Sequence, residues 1–107
     1  MQDQLDLFLK RLHALVRENR ISVVRRQINR QSMMEHGLRE QDVHSVLLGL
    51  TPRHYFRGPS ADHAGYPGNI MEFKTPVNGV LFYIKVRIWS ENSVDQGVTI
   101  SFHEDYI

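Results

Sequence analysis

The sequence predicts an α+β fold, in which N-terminal helices pack on one face of a C-terminal antiparallel β-sheet. Three observations lead to this prediction. Apolar residues recur at helical spacing in the first half, the second half alternates apolar and polar residues, and 107 residues allow only one core. We therefore expect residues 1–107 to form a single domain. Residues 1–19 would be an N-terminal helix, an addition to the unit formed by residues 20–107.

The first half of the chain contains three segments with helical character. Residues 3–18 place their apolar side chains on one stripe: Leu5, Phe8, Leu9, Leu12, Leu15 and Val16. Residues 29–36 predict a short helix that ends at Gly37, because glycine readily adopts a left-handed cap. Residues 39–50 predict another amphipathic helix, which the following Pro52 ends.

Three strands are predicted in the second half, at residues 70–74, 80–89 and 97–103. Asn78-Gly79 is a typical hairpin turn between the first two of these strands. The β-branched residues 21–24 leave two alternatives open, a short edge strand or the start of another helix.

Residues 57–69 are predicted to be irregular, because three glycines and two prolines fall within them. A loop of this length in a small domain is more often functional than idle. His54 at its mouth and His63 within it are therefore candidates for contacts with a ligand. The adjacent Asp62 does not make a metal site with His63, because no third ligand accompanies the pair.

The composition excludes several classes of protein. The chain has no cysteine, so disulfides, a thiolate nucleophile and thiolate zinc sites are excluded. No apolar run approaches the roughly 20 residues of a membrane span. We therefore expect a cytoplasmic protein that has no contact with a membrane.

The net charge of +1 hides an asymmetry between the two halves of the chain. Residues 1–57 hold ten basic against six acidic residues, whereas residues 58–107 hold three against six. The basic excess includes Arg25, Arg26 and Arg30, which suit a polyanion such as RNA. An arginine-rich face that is only solvated remains an equal alternative.

The strand at residues 80–89 is the most informative segment. Its side chains alternate between two faces of the sheet. One face is apolar and is expected to meet the helices: Phe82, Ile84, Val86 and Ile88. The other face is cationic and aromatic: Leu81, Tyr83, Lys85, Arg87 and Trp89.

The last strand is predicted to repeat this alternation. Val98, Ile100 and Phe102 would face the core, and Thr99, Ser101 and His103 would face away from it. If the two strands are neighbours, Tyr83 and His103 share one open sheet face with Lys85 and Arg87.

These side chains suit the cleavage of RNA by its own ribose 2′-hydroxyl. That reaction needs a base, an acid and cations that stabilise charge on the phosphate. Tyr83 and His103 would transfer the protons, and Arg57, Lys85 and Arg87 would bind phosphate. The reaction requires no metal or other cofactor. The alternative is an ordinary wet sheet face, on which polar residues are the rule.

Short motifs in the second half resemble the MqsR-type toxins of bacterial toxin–antitoxin systems, whose fold is RelE-like. The matching segments are 47–59, 68–73, 79–85 and 100–103, and the resemblance extends over about residues 20–103. It implies an endoribonuclease, or mRNA interferase, that cleaves mRNA, either free or on the ribosome, and that a cognate antitoxin neutralises. Tyr83 and Lys85 fall on the family's Tyr-x-Lys strand, and His103 follows its Ser-Phe.

Two differences from the family bear on activity. Arg57 stands where a lysine often follows an aromatic pair, so the cation is kept. Ile70 stands near the position where some members carry glutamine, which favours a non-catalytic RelE-like module that binds RNA or a protein. A DNA-binding regulator is a further alternative, but the helix at 39–50 offers few residues for reading bases.

Overall fold

The structure is a computed structural model that describes residues 2–106. Three α-helices precede most of the strands, and a short 3₁₀ turn at Pro52–His54 leads into them. The helices are α1 (Gln2–Arg17), α2 (Gln27–Glu35) and α3 (Glu40–Leu48). The strands are β1 (Ile21–Val23), β2 (Tyr55–Ser60), β3 (Asn69–Val77), β4 (Val80–Glu91) and β5 (Val94–Glu104).

The strands form one five-stranded sheet in the order β1-β5-β4-β3-β2. The α+β class is confirmed, and of the two alternatives for residues 21–24 the edge strand is correct. Because β1 pairs with β5 in parallel, the sheet is mixed and not wholly antiparallel as predicted. Within residues 2–106, no helix has the length and apolar character that a membrane span requires.

The core lies between the sheet and the helices α1 and α3. The apolar stripe of α1 is buried as predicted, and Val43 and Leu47 of α3 are fully buried beside it. The predicted apolar face of β4 is also buried, with Phe82 and Ile84 at 0% exposure. Helical and strand periodicity therefore identified the two layers of the core correctly.

Helix α2 lies along the edge of β5, next to the short strand β1. The Asn29 side chain donates to the carbonyl oxygens of Val24 and Ile100 and accepts from the Phe102 amide. The Ser32 hydroxyl accepts from the Glu104 amide. These side chains satisfy backbone groups that β1 is too short to reach, so the edge of β5 is closed without another strand.

A β-bulge at Ile100 changes which side chains of β5 face the core. Lys85 pairs with Ser101, but the next residue of β4, Val86, pairs with Thr99. Ile100 is the extra residue, so in the part of β5 before it the odd-numbered residues 97 and 99 face the core, whereas after it the even-numbered residue 102 does. The prediction that Val98 faces the core is therefore wrong: Val98 lies opposite Arg87, and Thr99 is buried on the helix side.

The irregular segment is shorter than predicted. Residues 57–60 belong to β2, an edge strand whose pairing with β3 is interrupted twice by register shifts. Pro59 is tolerated there because an edge strand does not need every amide for its ladder. The strands β3 and β5 are also longer than predicted, and Asn92 and Ser93 form the tight turn before β5 with positive φ angles of 51° and 63°.

The remaining loop, residues 61–68, packs closely against strand β4 at Gly68. This glycine has a φ of +98°, and an added Cβ would overlap the carbonyl oxygen of Ile88 and lie 2.7 Å from the Trp89 Cβ. Gly65, in the same loop, has a φ of +85° but no atom within 4 Å of an added Cβ. The two glycines share a backbone conformation and differ in the space around them.

We predict that Gly68→Ala lowers the free energy of unfolding by about 2–4 kcal/mol, because it adds a backbone clash to the strain of a positive φ. Gly65→Ala is the matched control and should cost only about 1 kcal/mol of backbone strain. Urea denaturation followed by circular dichroism measures both. Equal losses for the two variants would contradict the close approach of the loop to β4.

Three histidines on or next to the helices, His13, His36 and His44, are partly buried between elements. The His36 Nε2 lies within hydrogen-bond distance of the Glu104 carboxylate, 3.0 Å from Oε1, and the His44 Nε2 lies 2.9 Å from the Ile21 carbonyl oxygen. His13 of α1 lies against the end of α3. Burial lowers the pKa of His13, more than the nearby Leu47 and Leu50 carbonyls raise it.

This lowered pKa predicts a pH-dependent stability. Below about pH 6.5 the unfolded chain binds a proton at His13 that the folded chain resists, so the free energy of unfolding falls as the pH decreases. His13→Gln should remove this part of the slope, whereas His63→Gln, at an exposed loop position, should not. Urea denaturation between about pH 5 and 8 tests this difference, and identical slopes for all three proteins would contradict it.

Candidate active site

The surface of the sheet opposite α1 and α3 gathers most of the predicted catalytic side chains, and we call it the open face. Alternate residues of four strands contribute to it, because residues directly opposite each other in the ladder share a face. Its central members are Arg57 of β2, Glu72 of β3, Tyr83 and Lys85 of β4, and Ser101 and His103 of β5.

Glu72 is the centre of this cluster. Its side chain is only 6% exposed, although it lies on the face that carries no helix. Arg57 donates to both carboxylate oxygens, with Nε 3.0 Å from Oε2 and Nη2 2.9 Å from Oε1. The Tyr83 hydroxyl donates to Oε1 as well. A buried carboxylate needs such partners, so the three side chains hold one another in place.

These contacts shift the ionisation of both acidic groups. Burial opposes ionisation of Glu72, but the bonds from Arg57 and Tyr83, with the charges of Arg57 and Lys85, hold its pKa below the usual value. Burial, together with the hydrogen bond to Glu72, raises the pKa of Tyr83. At neutral pH Glu72 is therefore an anion, and Tyr83 is a neutral phenol that donates its proton.

Two cations lie between Glu72 and the β5 side of the open face, Lys85 within the cluster and Arg26 beside it. Lys85 lies directly between Glu72 and Ser101 in the ladder and contributes its positive charge to the field at Glu72. Arg26, which precedes α2, reaches over the sheet edge and donates to the Ser101 hydroxyl at 3.0 Å. Arg26 is exposed and therefore accessible to a ligand at the open face.

His103 pairs with Tyr83 across β4 and β5, and their ring centroids are 5.5 Å apart. Its Nδ1 lies 2.7 Å from the carbonyl oxygen of Glu104. A carbonyl oxygen only accepts, so Nδ1 carries a proton and Nε2 is the nitrogen that is available for proton exchange. The ring of Tyr106 stacks on the other side of His103, with an interplanar angle of 12°.

Arg87, which was predicted to bind phosphate, is only 12% exposed and is engaged with the loop. Its Nη1 donates to the Pro67 carbonyl oxygen at 2.8 Å. Its guanidinium also lies 4.1 Å from the centre of the Trp89 ring and 5.2 Å from that of Tyr66. Arg87 therefore connects the loop to the sheet at the end of the open face.

The other predicted RNA-binding residues lie outside the cluster. His54 accepts the Thr51 amide proton in the 3₁₀ turn, and His63 is exposed at the turn of the loop. Arg25 and Arg30 line a separate groove between β1, α2 and α3. Among the described residues, none of these four side chains forms a hydrogen bond or ion pair with Glu72.

Glu72 itself was not predicted as a site residue. A single acidic side chain on the wet face of a strand is common, so its type alone gave no indication. The feature that could have identified Glu72 is its position in the strand. The alternation of side chains along β3 places Glu72 on the same face as Ile70, and the pairing with β4 places it opposite Lys85. An acid placed opposite a lysine and beside a tyrosine is a stronger indication than the acid alone.

The open face therefore offers an anionic oxygen, an imidazole nitrogen, a neutral phenol and the cations Arg57 and Lys85 on neighbouring strands, with Arg26 beside them at the start of α2. Within residues 2–106, no group of three or more histidine, aspartate or glutamate side chains is arranged to hold a metal ion. No protein-family model matches the chain, and no curated protein matches its sequence. The resemblance to the MqsR-type toxins thus remains a prediction.

Proposed function

We propose that the chain is an endoribonuclease of the toxin type, which cleaves single-stranded RNA at the open face by metal-independent transesterification. The observation that supports this proposal most directly is the buried Glu72 carboxylate, bound by Arg57 and Tyr83 beside His103. The ribose 2′-oxygen would form a bond to phosphorus while the bond to the 5′-oxygen breaks. The products would be a 2′,3′-cyclic phosphate and a 5′-hydroxyl.

Glu72 is the proposed base that accepts the 2′-hydroxyl proton. An ionised carboxylate can accept a proton but cannot donate one, whereas the raised pKa of Tyr83 keeps that phenol protonated at neutral pH and therefore unable to accept the proton. Three of the four lone-pair directions of the carboxylate are occupied, and Arg57, whose side chain is 65% exposed, occupies two of them. A phosphate that draws Arg57 away would free Glu72 to accept the proton.

His103 is the proposed acid that protonates the departing 5′-oxygen. The hydrogen bond from its Nδ1 to Glu104 orients the ring and leaves Nε2 to deliver the proton. Tyr83 contacts both proposed proton-transfer residues: its hydroxyl donates to Glu72, and its ring lies beside that of His103. Its proposed role is that of a hydrogen-bond donor. The pair that transfers protons would thus be Glu72 and His103, rather than Tyr83 and His103 as the sequence suggested.

The phosphate would be held by Arg57, Lys85 and Arg26. They approach from both sides of the open face, and cations at these positions would neutralise the charge that develops on phosphorus oxygens. Lys85 is the central one, because its backbone lies between those of Glu72 and Ser101.

A non-catalytic module that binds RNA or a protein is the second candidate. The observation that favours it is the near-complete burial of Glu72, whose oxygens already have partners in the protein. In that case the cluster would only stabilise the sheet, and the cations would retain RNA without cleaving it.

Toxin activity would also require a partner that restrains it. We propose that a cognate antitoxin protein neutralises the chain in the cytoplasm and that mRNA, free or on the ribosome, is the substrate. Induced expression without such a partner should arrest bacterial growth. The matched comparison is the Glu72→Gln, His103→Ala double variant at equal soluble levels, which should permit growth.

We predict that Glu72→Gln and His103→Ala each lower the single-turnover rate of RNA cleavage by about 10²–10⁴-fold, because each removes one proton-transfer group. The rates are measured with an end-labelled RNA of mixed sequence, and the 3′ ends of the products are tested for cyclic phosphate. Arg53→Ala, which removes an exposed cation outside the cluster, is the control and should cleave like the wild type.

Two outcomes would contradict this assignment in different ways. Wild-type rates in Glu72→Gln would remove Glu72 from the mechanism. RNA that the wild-type protein binds but does not convert to cyclic-phosphate ends would support the non-catalytic module.

The ion pair predicts a pH effect as well. Arg57 is the main group that counteracts burial at Glu72, so Arg57→Ala should raise the pKa of Glu72 and move the acid limb of kcat/KM to higher pH. An NMR titration of the Glu72 carboxyl measures the same shift without activity. Lys74→Ala, on the same strand, should leave both unchanged, because Lys74 pairs with Asp105. An unmoved Glu72 titration in Arg57→Ala would contradict this account.

A further inference from the structure

A layered stack of three planar side chains lies at the end of the open face where β4 meets the loop. The Arg87 guanidinium is 4.1 Å from the ring centre of Trp89 and 5.2 Å from that of Tyr66. The indole of Trp89 is itself fixed, because its Nε1 donates to Glu91. Arg87 is mostly buried and Trp89 is partly buried, whereas Tyr66 is 62% exposed. The outermost layer therefore presents an aromatic ring to solvent.

The position of Tyr66 is set by several independent contacts of the loop. Arg87 holds the carbonyl of the next residue, Pro67, and Gly68 brings the backbone against Ile88. On the other side, the Asp62 carboxylate accepts the Ala64 amide proton at 2.7 Å, and its carbonyl accepts that of Gly65. Arg87 contacts both ends of the loop, because its Nε also lies 4.0 Å from the Asp62 Oδ2, and an exposed tyrosine in such a loop is a preorganised contact surface.

The stack is continuous with the proposed cleavage site. Lys85 and Arg87 are alternate residues of β4, so their backbones are about 7 Å apart on the same face. This distance is comparable to the spacing of successive phosphates in an extended single strand. A strand whose scissile phosphate lies at Lys85 would therefore bring a neighbouring base to the loop.

We propose that Tyr66 is a base-stacking platform that binds one unpaired base of a single-stranded RNA, next to the nucleotide that is cleaved. Aromatic side chains bind unpaired bases in this way, and a guanidinium layer behind the ring adds a fixed positive charge. The proposal rests on the proposed function for its RNA substrate. It adds a recognition subsite that is chemically separate from Glu72 and His103.

The test measures affinity and needs no catalysis. The probe is a fluorescein-labelled single-stranded RNA of about ten nucleotides, with 2′-O-methyl sugars that cannot react. Its affinity is measured by anisotropy for the wild type, Tyr66→Ala and Tyr66→Phe. A second series replaces each nucleotide in turn by an abasic one. Leu7→Ala, which removes an equally exposed apolar side chain from α1, is the control.

We expect Tyr66→Ala to weaken binding by about 5- to 150-fold, Tyr66→Phe to retain it, and Leu7→Ala to have no effect. One abasic position should weaken binding to the wild type and have no effect on Tyr66→Ala. Unchanged affinity in Tyr66→Ala, or an abasic effect that persists in it, would overturn the platform. A duplex of the same sequence that binds as tightly as the single strand would also overturn it.

These outcomes are separable from those of the proposed reaction. An RNA that is bound through Tyr66 and never cleaved would support the platform and contradict the endoribonuclease. Normal cleavage without any effect of Tyr66 on affinity would overturn the platform alone.

Discussion

The carboxylate of Glu72 connects three strands through side chains rather than through the backbone. It lies on β3, and its partners Arg57 and Tyr83 come from β2 and β4. The pairing of β2 with β3 is interrupted twice, so the two bonds from Arg57 supplement a weak ladder at the edge of the sheet. A covered carboxylate cannot remain ionised without these donors. The same contacts that stabilise this edge therefore set the charge available for chemistry.

The β-bulge at Ile100 allows β5 to serve two different surfaces. Beyond the bulge, Phe102 faces the core while Ser101 and His103 face Lys85 and Tyr83. Before it, Thr99 faces the core, and so does Gly97, where an added Cβ would lie 2.7 Å from Leu15 of α1. Without the extra residue, one of these two halves would present the wrong side chains. Close packing of α1 and the position of His103 thus depend on the same irregularity.

The sequence predicted the elements that depend on periodicity and missed those that depend on a single residue. The long alternation of β4 correctly placed Tyr83 and Lys85 on the open face. The bulge at Ile100 has no recognisable pattern in the sequence around it. The apolar character of Val98 therefore led to the prediction that Val98 faces the core, whereas it lies on the open face. Gly58 and Pro59 argued against a strand, although an edge strand accepts them. Glu72 was missed because its significance comes from its cross-strand partners, which only the pairing of strands reveals.

Ile70 was the feature of the sequence that most favoured a non-catalytic module, because some MqsR-type toxins have glutamine near that position. In the structure Ile70 is 2% exposed and lies opposite Arg87 in the ladder. An apolar residue there packs beside the arginine that holds the loop. Two residues further along the same face, Glu72 supplies the polar group at the centre of the cluster. The apolar residue at position 70 therefore leaves the polar centre of the cluster, the Glu72 carboxylate with its two donors, intact.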